Sequence, residues 1–197
     1  VKAEQLKVEM MAYRYESLRN QINPHFLFNS LNVLSDLVYA DQAMAVKFIN
    51  QLSDLFRYVL DSREKELVSL HDELAFMQSY MYLLKTRFED KLVLKIDIKA
   101  ESDELIVPMT LQLLVENAVK HNEVSEAYPL QITIRRSDTF IEVENTLRVK
   151  GVGEDSKKTG LKNIIQQFSF YTERQIEVKE MDDKFVVRVP VLKASEK

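Results

Sequence analysis

The stretch QINPHFLFNSLN, residues 21–32, puts an imidazole directly behind a proline and sets Asn23, Asn29 and Asn32 around it. A neutral imidazole is a good nucleophile near neutral pH, because its ordinary pKa is about 6.5, and it can accept a phosphoryl group. Turning a helix by ~100° per residue from His25 brings Gln21, Asn29, Asn32 and Asp36 within roughly 40° of it. Leu27, Leu31, Leu34 and Val38 gather on the opposite side, which is expected to face the core. His25 is therefore expected on a polar stripe, as a solvated histidine without a task or as a displayed nucleophile. Asn29, one helical turn on, could position the imidazole or a water. Phe26 follows His25, so no adjacent carboxylate serves as its base, and the general base stays unassigned.

Two more constellations could do phosphate chemistry. PMTLQLLVENAVKHN (108–122) predicts a helix with Pro108 at its first position, where a proline is favoured. Behind the apolar run Leu111, Leu113, Leu114 and Val115 it carries Glu116, Asn117, Lys120 and His121. Asn117 and Lys120 are three apart and share a face. An amide oxygen suits Mg²⁺ and an ammonium suits phosphate, although basic residues at a helix end also simply complement its dipole. GVGEDSKKTGLKNI (151–164) is a glycine-bearing loop running into a helix start at Thr159–Gly160, where free backbone N–H groups could meet an anion. It lacks the GxxxxGK[ST] pattern of a P-loop, and taken alone it also reads as a surface loop.

These residues need elements to hold them, and the composition divides near residue 90. Before that point the chain has one proline, Pro24, and no glycine. Helical spacing predicts a helix over 1–39 disturbed at Pro24, a second over 43–62 through Val46, Ile49, Leu52, Phe56 and Val59, and a third over 69–88 opened by Ser69 with Asp72 and Glu73. These helices are expected to pack antiparallel. The rest alternates: a strand at 91–99, the helix 108–122, a hairpin of 131–137 with 140–145 across Asp138–Thr139, a loop at 146–158, a helix at 159–170, and a hairpin of 175–180 with 184–191. The fold class expected is an α-helical hairpin or bundle (1–88) followed by an α/β two-layer sandwich with a mixed sheet (89–197).

Bulk numbers exclude some functions. Of 197 residues, 46% are hydrophobic, enough for a core, and 27 basic against 31 acidic residues leave a net charge of −4, without the basic patch nucleic acid needs. There are no cysteines, which removes disulfides and thiolate metal sites. His25, His71 and His121 are too scattered for a metal cage. No apolar run approaches the ~20 residues of a membrane span. The start VKAEQLK is expected of a piece of a longer protein, and Leu6, Met10 and Tyr13 suggest a helix arriving from an upstream region.

In this order the three motifs resemble the LytS-type sensor histidine kinases. QINPHFLFNSLN is similar to that family's phosphoacceptor signature, VPMTLQLLVENAVKHN to its asparagine box and TGLKNI to its glycine-box helix start. The resemblance spans about residues 18–192. It implies a dimerising helical part joined to a Bergerat (GHKL) ATP-binding sandwich, with ATP and Mg²⁺ as cofactors. His25 would be the phosphoacceptor; Asn117 would hold Mg²⁺, with Glu116, Lys120 and His121 near the metal and phosphates. Thr159, Gly160 and Leu161 would contact phosphate, and loop 146–158 would be the lid. Asn145 stands where the family's wider class has an aspartate that reads adenine, and the following glycine is absent. An uncharged acceptor there loses up to ~1–2 kcal/mol, roughly tenfold in affinity.

The activity implied is autophosphorylation of His25 and transfer to an aspartate of a response regulator receiver domain. The setting implied is a homodimer in the cytoplasmic part of an inner-membrane sensor, with the membrane reached only through regions outside this sequence. A second reading is a dimeric scaffold with weakened or lost ATP binding, motivated by Asn145. A third, an ATPase or serine kinase sharing only the nucleotide fold, leaves QINPHFLFNSLN without a purpose.

Overall fold

The computed structural model of the chain describes residues 24–148 and 159–194. The expectations for residues 1–23 and for the loop glycines Gly151 and Gly153 lie outside the described residues. Helix α1 (Pro24–Ala40) leads through a single extended residue, Asp41, into α2 (Gln42–Asp61). The Asp41 carboxylate caps α2 by accepting from the Met44 N–H at 3.0 Å. Helix α3 (Leu70–Phe88) opens as its sequence foretells: Ser69 Oγ accepts from the Asp72 N–H at 3.0 Å.

Which face of α1 and α2 turns inward differs from the expectation. On α1 the inward residues are Phe26, Ser30, Val33, Leu34 and Leu37, whereas Leu31 and Val38 are exposed. On α2 the buried residues are Ala45, Phe48, Leu52, Leu55 and Val59, whereas Val46 and Ile49 point outward. The reason is that both helices are apolar around much of their circumference. Periodicity finds apolar stripes but does not say which of two meets the neighbouring helix.

The remaining elements are β1 (Val68–Ser69), β2 (Leu92–Asp97), β3 (Glu104–Ile106), α4 (Thr110–His121), β4 (Leu130–Ser137), β5 (Phe140–Thr146), α5 (Thr159–Phe168), β6 (Glu177–Glu180), β7 (Lys184–Pro190) and β8 (Leu192–Lys193). The main sheet has the order β2-β4-β5-β7-β6, with β2 and β4 parallel and the other pairs antiparallel. Helix α4 lies in the crossover between the two parallel strands. One sheet face is apolar, with Ile132, Ile134, Ile141, Val143 and Val187 buried beneath the helices. The other carries ion pairs, including Arg135 with Glu142, Lys184 with Glu144 at 2.8 Å and Arg188 with Glu177 at 2.8 Å. Alternation along each strand produces this division, and the result is the two-layer α/β sandwich with a mixed sheet.

Three short strands were not foreseen. β1 pairs with β3, and β3 with β8, in a small antiparallel sheet. Two or three residues are too few for a period-2 pattern to register. Their effect is large, because β1 ties the start of α3 to the sandwich. Among the described residues the buried core runs unbroken across residue 88, from Phe76, Met77 and Leu84 of α3 to Leu92, Leu111 and Ile132.

Candidate functional site

The site is built around α4. Its start departs from expectation: Pro108 is not the first helical residue, because Met109 takes a left-handed conformation (φ 65°) and the helix begins at Thr110. A methionine cannot cap a helix, and the left-handed backbone costs about 1–2 kcal/mol. The cap comes from another helix. Glu73 of α3, with none of its surface exposed, accepts from the Leu111 N–H at 3.0 Å through Oε1 and from the Met109 N–H at 3.1 Å through Oε2. Tyr58 of α2 donates its hydroxyl to Oε2 at 2.5 Å. Burial pushes the Glu73 carboxyl up to about 7, while the Tyr58 hydroxyl and the two backbone N–H groups pull the other way. The far end of α4 is closed by Asn122, whose side chain donates to the Ala118 carbonyl at 2.9 Å.

His25, at the second residue of α1, is exposed. The Asn29 amide nitrogen lies 3.1 Å from its Nδ1 and 3.3 Å from its Nε2, so the one-turn spacing brings the pair into contact. Which ring nitrogen pairs with the amide depends on the tautomer. With its nitrogen toward the ring the amide donates to a bare ring nitrogen; turned over, its oxygen accepts Nδ1–H and leaves Nε2 as the basic nitrogen.

His25 also faces the rest of the chemistry. A cavity of about 510 Å³ is lined by His25 and Phe26 of α1, by Tyr80, Leu84 and Arg87 of α3, and by Glu116 and Lys120 of α4. Burial, and next the charge of Glu116, hold the Tyr80 phenol well above the usual tyrosine range and therefore protonated. Glu116 also accepts from the Gln112 side chain at 3.4 Å.

Asn117 looks another way, toward the start of α5. A Cβ built on Gly160 would lie 3.6 Å from both polar atoms of the Asn117 side chain. The fold thus brings Asn117 to the start of α5 and puts Glu116 and Lys120 on the cavity that His25 also lines, on adjoining faces of one helix. Thr159 opens α5, and Leu161 packs partly buried against the core. His121 sits half-buried in the last turn of α4 and does not line the cavity. Asn145, on β5, is buried and donates its amide to the Thr146 carbonyl at 2.8 Å. Arg148 is pinned: its N–H donates to Asn122 Oδ1 at 2.7 Å, and the Glu123 N–H donates to its carbonyl at 2.8 Å.

The donor set suits a metal carried in by a nucleotide rather than a metal caged by protein. Among the described residues no group of three His, Asp or Glu is placed to hold an ion. An amide oxygen beside a helix start that offers N–H groups fits Mg²⁺ that keeps phosphate oxygens and waters as its other ligands.

Residues 13–92 match the family model described as histidine kinase. Sensor protein LytS of Staphylococcus haemolyticus is 35% identical over 156 residues, covering 74% of this chain and 25% of that protein. The chain belongs to the LytS-type sensor histidine kinase family. Sensor histidine kinase BtsS of Escherichia coli is 32% identical over 157 residues, covering 72% of this chain and 28% of that protein. The chain thus spans about a quarter of the length of these curated relatives. A histidine kinase structure from Burkholderia phymatum covers 91% of this chain and 99% of that one at 14% identity, with a TM-score of 0.43.

Sequence reasoning missed Glu73, Tyr80 and Arg87. Glu73 read as a first-turn acid complementing the dipole, and nothing local signals that it is buried. Tyr80 and Arg87 stand seven apart on α3, the spacing of one helix face, and that was the available signal.

Proposed function

We propose that this chain phosphorylates its own His25 from ATP and passes the phosphoryl group to an aspartate of a response regulator receiver domain. The observation that carries the reading is the shared cavity, lined by His25 and by Glu116 and Lys120 of the asparagine-box helix. A basic imidazole nitrogen attacks the γ-phosphorus; the N–P bond forms as the bond to the β-phosphate oxygen breaks, and ADP leaves. Attack through one ring nitrogen leaves the ring cationic, and the proton on the other nitrogen, held by Asn29 until then, passes to Glu116, the carboxylate among the described residues lining the cavity. Asn29 holds the imidazole in the attacking tautomer and, in the reverse sense, orients a water for dephosphorylating the regulator. Lys120 offsets charge on the phosphates; Asn117 would hold Mg²⁺, with His121 nearby, and the Thr159–Leu161 helix start would bind phosphate. Mg²⁺ when bound neutralises phosphate charge. Asn145 accepts from the adenine amino group; the lid implied for 146–158 falls mostly outside the described residues.

A homodimer fits the outward faces of the hairpin. Phe28, Leu31, Val38 and Tyr39 of α1, exposed by 67%, 47%, 46% and 90%, fall within an arc of roughly 100° at 3.6 residues per turn. An apolar stripe of this kind is what a second copy would cover. The seam between functional parts is best set near residues 62–67, after α2, rather than at 88, because β1 and α3 are tied into the sandwich. We assign the chain to the cytoplasmic part of a membrane-anchored sensor; no described helix is long and apolar enough to cross a membrane.

The scaffold reading keeps one observation in its favour, the uncharged Asn145. Purified chain with labelled ATP, chased with a receiver domain, separates the two. Label that appears on the chain and then moves to the receiver supports the kinase. A dimer that binds the receiver but neither ATP nor label supports the scaffold.

A further inference from the structure

The Glu73 carboxylate does more than close a helix, because its third partner comes from the hairpin that carries His25. Tyr58 of α2 reaches it at 2.5 Å, and the same carboxylate holds the Met109 and Leu111 N–H groups of α4. From Tyr58 a row of rings runs back to the phosphoacceptor. Tyr58 stacks on Phe76 with centroids 4.3 Å apart, Phe76 faces Tyr80 at 6.3 Å, and Tyr80 meets Phe26 at 5.5 Å. Phe26 adjoins His25 in the chain, and Tyr80 lines the cavity between His25 and Glu116.

We propose that the Tyr58–Glu73 hydrogen bond is the joint that fixes the His25 hairpin against α4, making both groups positioning residues for phosphoryl transfer. Neither lines the cavity, so neither touches the reacting atoms. The carboxylate grips the asparagine-box helix from one side and the hairpin from the other, and the ring row transmits the spacing to His25. Loosening the joint leaves nucleotide contacts at Asn117 and Gly160 intact while His25 loses its place above Glu116 and Lys120. The inference rests on the kinase reading above.

The test is made on the whole chain with Tyr58→Phe, Glu73→Gln and the double variant. Tyr58→Phe keeps the stacked ring and removes only the hydroxyl, so it folds even where a Glu73 variant does not. Expected for Tyr58→Phe is Mg-ATP affinity within about twofold of wild type and His25 labelling about tenfold slower at saturating ATP, the worth of one hydrogen bond to a charged group. The double variant should label no more slowly than Glu73→Gln, because both changes open the same joint. Wild-type labelling by Tyr58→Phe, parallel loss of ATP affinity and rate, or multiplying losses in the double variant would overturn the proposal. Should wild-type chain take no label, the kinase reading falls, and hydrogen exchange still decides the joint. Faster exchange at the Met109 and Leu111 amides in Tyr58→Phe supports it; unchanged exchange overturns it.

Discussion

A carboxylate with no exposed surface governs the pH response at the residue scale. Glu73 has its pKa pushed up to about 7 from the ordinary 4.5, chiefly by burial. Its contribution to stability is therefore full below about pH 4.5, where both states are protonated, and is lost as pH rises to about 7. A shift of this size is worth about 3 kcal/mol. Urea denaturation across pH 4.5–7 should show Glu73→Gln gaining on wild type by up to that amount; parallel curves would refute the assignment. On the proposed mechanism Glu116 and Asn29 act on the chemistry instead. Glu116→Gln keeps volume and removes the proton acceptor, so the rate of His25 labelling at saturating Mg-ATP should fall about a hundredfold. Asn29→Ala should slow both labelling and dephosphorylation of the regulator, and intact phosphatase activity would remove Asn29 from that role.

At the scale of elements, the start of α5 meets α4 at Asn117. Gly160 sits at the second residue of α5 with Asn117 beside it, and an added methyl would lie 3.6 Å from the amide, an ordinary contact. Gly160→Ala should therefore melt within a degree or two of wild type while binding ATP measurably more weakly, because the methyl narrows the approach to Asn117 and the helix start. The elements themselves were largely legible. Ser69 announced α3, alternation in β4 and β5 announced the hairpin, and the Asp138 turn fell between them. What could not be read locally was decided between elements. The α1 and α2 stripes each had two apolar faces, β1 was two residues long, and the start of α4 was set by a carboxylate 36 residues earlier in the chain. His25 and Asn29 were legible as a pair because they share one helix; His25 with Glu116 was not, because α3 and the sandwich supply that proximity.

At the scale of the molecule, the hairpin presents apolar residues outward while the sheet presents ion pairs. Leu31→Asp at the centre of the α1 stripe should shift the chain toward monomer in sedimentation analysis without unfolding it, since Leu31 is nearly half exposed already. An unchanged association state would place the partner surface elsewhere. On our proposal His25 receives phosphate from ATP held between Asn117 and the start of α5, on the face of α4 adjoining the one that lines the cavity with His25. The direct measurement is incubation with γ-labelled Mg-ATP followed by mapping of the label. The account predicts acid-labile phosphate on His25, absent from His25→Ala and reduced in Glu116→Gln. Bound ATP with no label, or label on any residue other than His25, would contradict it.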